Sequence, residues 1–80
     1  MTLTIHLFAS MRADLGPAVE VELPPGSTVA DLHRELSERF PSFARLLAVS
    51  RIAVNQEFAR DDQPLAPGDE IAVIPPVSGG

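Results

Sequence analysis

The sequence predicts an α+β fold: a mixed sheet with one main helix packed across one face. Three observations carry that reading. Two segments near the N-terminus alternate apolar and polar residues with period two, a middle segment repeats apolar residues at helical spacing behind a capping signature, and further short alternating segments follow it.

From Thr2 to Phe8 the alternation places Leu3, Ile5 and Leu7 on one face and Thr4, His6 and Phe8 on the other, which describes a half-buried strand. Ala9 to Leu15 is too short for a stable free helix, but Ser10 can cap a turn or two and Gly16 can end it. The second strand runs from Ala18 to Leu23, with Val19, Val21 and Leu23 inward and Glu20 and Glu22 in water, and Pro24-Pro25-Gly26 breaks it. Thr28 then reads as an N-cap, with Asp31 in the place of a capping-box acid. Val29, Leu32, Leu36 and Phe40 recur at helical spacing, so one amphipathic helix follows and ends before Pro41. A looser segment holds Phe43, Leu46 and Leu47. Arg51 to Asn55 reads as a strand with Ile52 and Val54 inward, and a short extended piece is expected around Phe58. Pro67-Gly68-Asp69 has turn chemistry and leads into a last strand, Glu70 to Ile74, with Ile71 and Val73 inward.

A right-handed crossover through the helix places the final strand parallel to the first. That arrangement is the β-grasp of ubiquitin. The expected organisation is a β-grasp domain over residues 1–74 and a flexible tail over residues 75–80.

Strand parity has a second consequence. If the apolar set above faces the helix, Phe8, Ala53, Ala72 and Ile74 fall on the opposite, open face, with Phe58 beside them if the first and last strands are neighbours. A sheet covered by one helix layer is expected to show water mainly polar groups there. The alternative to scattered surface apolar residues is a protein-docking patch.

Composition narrows the function. Six arginines and no lysine stand against eleven acidic residues, a formal charge of −5, which argues against nucleic acid and for partners that are basic where they meet the chain's bulk. No cysteine is present, so no disulfide, thiol nucleophile or cysteine zinc site is expected. No apolar run is long enough for a membrane helix and no secretion signal is read, so the expected location is cytoplasmic, with no membrane partner. His6 and His33 lack companions for a metal site, and Ser10, Ser27, Ser37, Ser50 and Ser78 lack a His-acid partner. The chain reads as something acted upon, with no catalytic residues of its own, no bound cofactor and no metal.

The tail supplies the positive signal. Pro75 and Pro76 cannot continue a central strand, and Pro75-Pro76-Val77-Ser78-Gly79-Gly80 in extended form reaches at most about 20 Å. Gly79 and Gly80 have no β-carbon, so such a tail can thread a narrow cleft. With Gly80 as the chain's end, the expectation is that its carboxylate is presented as a reactant.

Together, Leu7-Phe8-Ala9 with Arg12 and Gly16, Thr28-Val29, Val54-Asn55, Pro67-Gly68-Asp69-Glu70 and the terminal hexapeptide resemble the molybdopterin synthase small subunits, within the ubiquitin-like sulfur carriers. The resemblance covers essentially the whole chain, and the hexapeptide is its specific part. It implies that a ubiquitin-activator-like adenylating enzyme uses ATP to convert the Gly80 carboxylate to an acyl adenylate. A sulfurtransferase or cysteine desulfurase supplies the sulfur that replaces AMP. The Gly80 thiocarboxylate then enters the large synthase subunit, in a heterotetramer, and donates sulfur to the pterin precursor in molybdenum cofactor biosynthesis. The resemblance also implies tail insertion through Pro75, Pro76, Val77, Ser78 and Gly79, and partner binding through Phe8, Phe58 and Ile74. This chain departs from the family's frequent choices at Ala13, where Glu is common, and at Ile74, where Phe is common. Three other functions fit the same features: a sulfur carrier for a thiamine-type, cysteine-type or siderophore route, a ubiquitin-like modifier joined to a target lysine, and a plain interaction domain.

Overall fold

The computed structural model describes residues 1–77 of the 80-residue chain. Strands β1 (Thr2–His6) and β2 (Ala18–Glu22) form an antiparallel pair running from Thr2↔Glu22 to His6↔Ala18. On the other side of β1 lies β5 (Ile71–Ile74), parallel to it, with Ile5 opposite Ile71 and His6 opposite Ala72. β3 (Arg51–Val54) is antiparallel to β5 and carries β4 (Glu57–Phe58) on its outer edge. The order is therefore β2-β1-β5-β3-β4, a mixed sheet whose central pair joins the first and last strands.

Period two decides what the sheet buries. Leu3, Ile5, Leu7, Val21, Leu23, Ile52, Val54, Ile71 and Val73 are all buried in one cluster with Val29, Leu32 and Leu36 of α2 (Val29–Arg39). The residues expected inward from both halves of the sheet thus meet one helix stripe, apart from Val19, which is only half-buried against that core. Leu32 is 0% exposed, so truncating it leaves a void the packed surroundings can only partly close.

The start of α2 is fully accounted for. Thr28 is the N-cap; its hydroxyl accepts from the Asp31 N–H at 3.3 Å, and Asp31 Oδ2 accepts from the Thr28 N–H at 2.9 Å, a reciprocal capping box. The next two orphan donors, the N–H groups of Val29 and Ala30, reach the carbonyls of Gln63 and Asp61, both at 3.0 Å. The long segment between β4 and β5 is thereby tied to the helix, and the Leu65 N–H donating to the Ser27 carbonyl at 2.8 Å continues the tie.

Two local expectations are corrected. The helix α1 (Ala9–Leu15) is not capped by Ser10: Phe8 occupies the N-cap without a side-chain bond, and Ser10 lies inside the helix. Ala9 takes φ 54, a left-handed turn that swings the chain out of β1 before Ser10 is reached. Gly16 ends α1 as expected, at φ 93, donating to the Arg12 carbonyl at 2.9 Å. The segment after Pro41 is not loose: a 3-10 turn (Pro41–Phe43) leads into α3 (Ala44–Val49). Pro41 presets the first turn, and Leu47, buried beneath α3, with the His33 ring bonded to the Leu47 carbonyl, holds a helix too short to persist alone. Strands end one or two residues inside their expected limits, at His6, Glu22 and Val54, and β5 begins at Ile71.

Two predictions follow from this packing. Leu32→Ala lowers unfolding free energy by about 2–5 kcal/mol in denaturant titration, with the fold retained only if the domain's total stability exceeds that loss. The Thr28 N–H, then the Thr28 hydroxyl and Arg34, hold the Asp31 carboxyl below its ordinary value of 3.8. Because the folded value is depressed, this contribution is present above the ordinary value and is lost as pH falls through the folded one. Thermal unfolding followed from pH 6 to about pH 2.5 therefore shows a larger loss in the wild type than in Asp31→Asn, which lacks this titrating group.

Candidate docking face and tail

The open face of the sheet is organised in rows. Phe58, Ala53, Ala72 and His6 stand side by side across β4, β3, β5 and β1, through the pairings Ala53↔Phe58, Ala53↔Ala72 and His6↔Ala72. One row nearer the end of β5, Arg51 stands opposite Ile74. Because β1 and β5 are parallel, Phe8, two residues beyond His6, emerges at the same end of the sheet as Ile74, two residues beyond Ala72. Phe8, Phe58 and Ile74, expected together from parity, do line one groove of about 340 Å³ with Ala53, Ala72, Gln56 and Glu70. Its shape follows from side-chain size: alanine methyls stand in the middle of the row, while phenylalanines 42% and 54% exposed stand at its sides.

The Phe58 side is positioned by the β3-β4 turn. Asn55 and Gln56 both take positive φ, at 52 and 70, the pairing that suits a two-residue hairpin to the twist of its strands. Asn55 also bonds to the chain entering β5. Its N–H donates to the Glu70 carbonyl at 2.7 Å, its side-chain carbonyl accepts from the Glu70 N–H at 2.9 Å, and its amide donates to Asp69 at 3.1 Å. The Gly68 turn before it, at φ 87, is closed by Asp69, which accepts from the Ala66 N–H at 2.8 Å.

Sequence reasoning did not single out Arg51. Its guanidinium carbon lies 3.8 Å from the centre of the Phe58 ring, a cation–π contact on the same rim. Alternation with Ile52 and Val54 already put Arg51 on the open face beside Ala53, but diagonal contacts across a sheet are not visible in one strand's alternation.

Beyond β5, Pro75 is half-buried, Pro76 is exposed, and Val77 is 93% exposed. Ser78, Gly79 and Gly80, expected to enter a partner's cleft and to carry the reactive carboxylate, lie outside the described residues. A second, more polar cavity of about 310 Å³ lies by the start of α2, lined by His33, Ser50, Arg51 and Asp61 among others. Among the described residues no three His, Cys, Asp or Glu side chains gather where a metal could bind, and no helix is long and apolar enough to cross a membrane.

This sheet order, with one capped helix against one face and an apolar groove at the root of a C-terminal extension, defines a ubiquitin-like β-grasp domain. Solved structures share it along nearly the whole chain. A putative molybdopterin converting factor subunit 1 from Pyrococcus furiosus superposes with a TM-score of 0.82 at 33% identity, covering 95% of this chain and 98% of that one. The small archaeal modifier protein 1 of Haloferax volcanii gives 0.81 at 27% identity, covering 95% and 98%. The chain belongs to the ThiS family, whose model matches residues 5–80. It is 42% identical over 80 residues to the molybdopterin synthase sulfur carrier subunit of Dictyostelium discoideum, covering 95% of this chain and 93% of that protein. The resemblance read from Leu7-Phe8-Ala9 through the terminal hexapeptide is borne out.

Asn55→Ala removes two side-chain bonds and leaves an alanine at positive φ, so it lowers stability by roughly 1–3 kcal/mol in denaturant titration. Faster amide exchange concentrated at Ala59, whose N–H donates to Ile52, is the accompanying local signature.

Proposed function

We propose that this chain is the sulfur carrier subunit of a molybdopterin synthase and works through the carboxylate of Gly80. The observation that carries the reading is the geometry of one sheet end: β5 runs through the groove-lining Ala72 and Ile74 directly into Pro75 and Pro76, so the apolar docking residues stand at the root of the tail. Relatives named molybdopterin synthase sulfur carrier subunit, at 42% and 37% identity, supply the pathway.

The chemistry suits a carrier that its partners act upon. A carboxylate is inert to substitution because its leaving group is poor. Attack of the Gly80 carboxylate on the α-phosphate of ATP, catalysed by an activating partner, releases pyrophosphate and leaves an acyl adenylate. The terminal sulfur of a donor's persulfide then attacks the acyl carbon and AMP departs. A second thiol cleaves the S–S bond of the acyl disulfide so formed, itself ending as a disulfide, and a thiocarboxylate remains, ionised and strongly nucleophilic at neutral pH. Within the synthase its sulfur passes to the pterin precursor and water returns Gly80 to a carboxylate. Catalytic acids, bases and lysines belong to the partners. The carrier contributes the groove, which docks a large subunit through Phe8, Phe58 and Ile74, and a tail of Pro75, Pro76, Val77, Ser78 and Gly79 that enters the partner's cleft.

A second reading is favoured by one specific observation, the likeness to the archaeal modifier protein. As a modifier the same Gly80 ends in an amide bond to a lysine, and a ladder of higher-mass conjugates in extracts of the host distinguishes it.

Deleting Gly80, or adding one residue after it, abolishes sulfur transfer to the precursor while circular dichroism and melting temperature stay at wild-type values; retained transfer contradicts the proposal. Phe8→Asp and Ile74→Asp, on exposed or half-buried sites, weaken binding of the large subunit by about tenfold or more without unfolding the domain, as measured by calorimetric titration.

A further inference from the structure

We propose that Arg51 determines partner specificity on this face: its guanidinium, held over the Phe58 ring, receives a carboxylate of the protein that occupies the groove. The proposal rests on the reading of the groove as a docking site, and the test separates the two.

Arg51 opens β3 on the open face, opposite Ile74 and beside the root of the tail. The guanidinium carbon lies 3.8 Å from the ring centre, a stacking distance, and a guanidinium keeps its N–H donors in the plane of its fork. Among the described residues none of those donors is taken. The ion pairs there are Arg34 with Asp31 and Arg60 with Asp62, and Arg39 donates to the Glu20 carbonyl. Arg51 therefore presents donors on a side chain already placed by its contact with Phe58, so less rotamer freedom is lost when a partner engages it.

The unpaired charge of Arg51 gives the ligand's sign. The chain carries −5; Glu70 lines the groove and Asp61 lines the neighbouring cavity with Arg51, and neither pairs with it. An acidic group on the partner is repelled near Glu70 and attracted at Arg51, which fixes the orientation of the docked surface as well as its composition. A planar fork suits a carboxylate in two-bond geometry. A polyphosphate needs several cations along its track, and this acidic chain offers one stacked arginine here. The bulk of the protein thus favours a basic partner, while this rim favours an acidic residue flanked by the apolar side chains that fill the groove.

The test titrates the full chain against the purified large subunit of the same organism's molybdopterin synthase at low and at high ionic strength. Arg51→Met keeps a long soft side chain over Phe58 but removes the charge and the donors. It weakens binding about tenfold at low salt, the scale of a charge-assisted hydrogen bond, and the difference narrows at high salt. Arg51→Lys, with the charge but not the fork, falls between Met and wild type. Wild-type affinity for Arg51→Met at both salts, with Phe8→Asp impaired, overturns the role of Arg51 and leaves the groove reading intact. An equal loss at both salts assigns Arg51 to packing on Phe58 and also overturns it. Wild-type affinity for Phe8→Asp as well removes the groove reading and this proposal with it. Melting temperatures for all variants confirm that folded proteins are compared.

Discussion

The parallel pairing of β1 with β5 is the constraint from which the rest follows. It joins the two ends of the sequence in the middle of the sheet, with Ile5 against Ile71, both fully buried. Parallel strands leave a sheet at the same end. The residue that turns out of β1, Phe8, and the one that closes β5, Ile74, are therefore delivered to one edge of one face, although sixty-six positions apart in the chain. An antiparallel pairing of the same strands places them at opposite ends and leaves no apolar groove beside Pro75.

What holds that pairing is the helix on the other face. Parallel strands need a crossover, and α2 supplies it while burying Val29, Leu32 and Leu36 against the sheet. The chain has no disulfide, and among the described residues α1 and α3 bury one residue each, Met11 and Leu47, against three in α2; the capping box and the carbonyls of Asp61 and Gln63 secure the helix start where it meets the long segment before β5. The two faces differ: one supplies stability, and the other carries the apolar side chains for which recognition is proposed. Alanines at 53 and 72 make the second role possible, because larger residues in the middle of that row fill the groove.

Much of this was legible in the sequence. Period two identified the core strands and, by the same parity, the open-face Phe8, Phe58 and Ile74. Thr28 with Asp31 gave the helix start, and Pro41 its end. Where the reading failed, tertiary context outweighed local signals. Ser10 is an ordinary N-cap residue, yet the chain turns one residue earlier through a left-handed Ala9. Residues 44–49 carry no capping signal and are too few to be helical alone, yet Leu47 is buried beneath them and His33 bonds to its carbonyl. Arg51 was hidden for a different reason. Its place on the docking rim depends on a diagonal contact with a neighbouring strand, and nothing within Arg51–Val54 encodes that contact. The reactive group assigned to Gly80 was legible only as chemistry, since Ser78, Gly79 and Gly80 lie outside the described residues.

The central claim is that the chain carries sulfur on its final residue, and the absence of cysteine makes that directly measurable. Protein purified from its own host, or incubated with a matching activating enzyme, ATP and a sulfur source, is treated with a thiol alkylator at neutral pH and mapped by peptide mass spectrometry. Mapping is needed because exchange of oxygen for sulfur nearly matches the mass gained on oxidation of Met1 or Met11. The account predicts an adduct confined to the C-terminal peptide. No adduct from fully active components contradicts it.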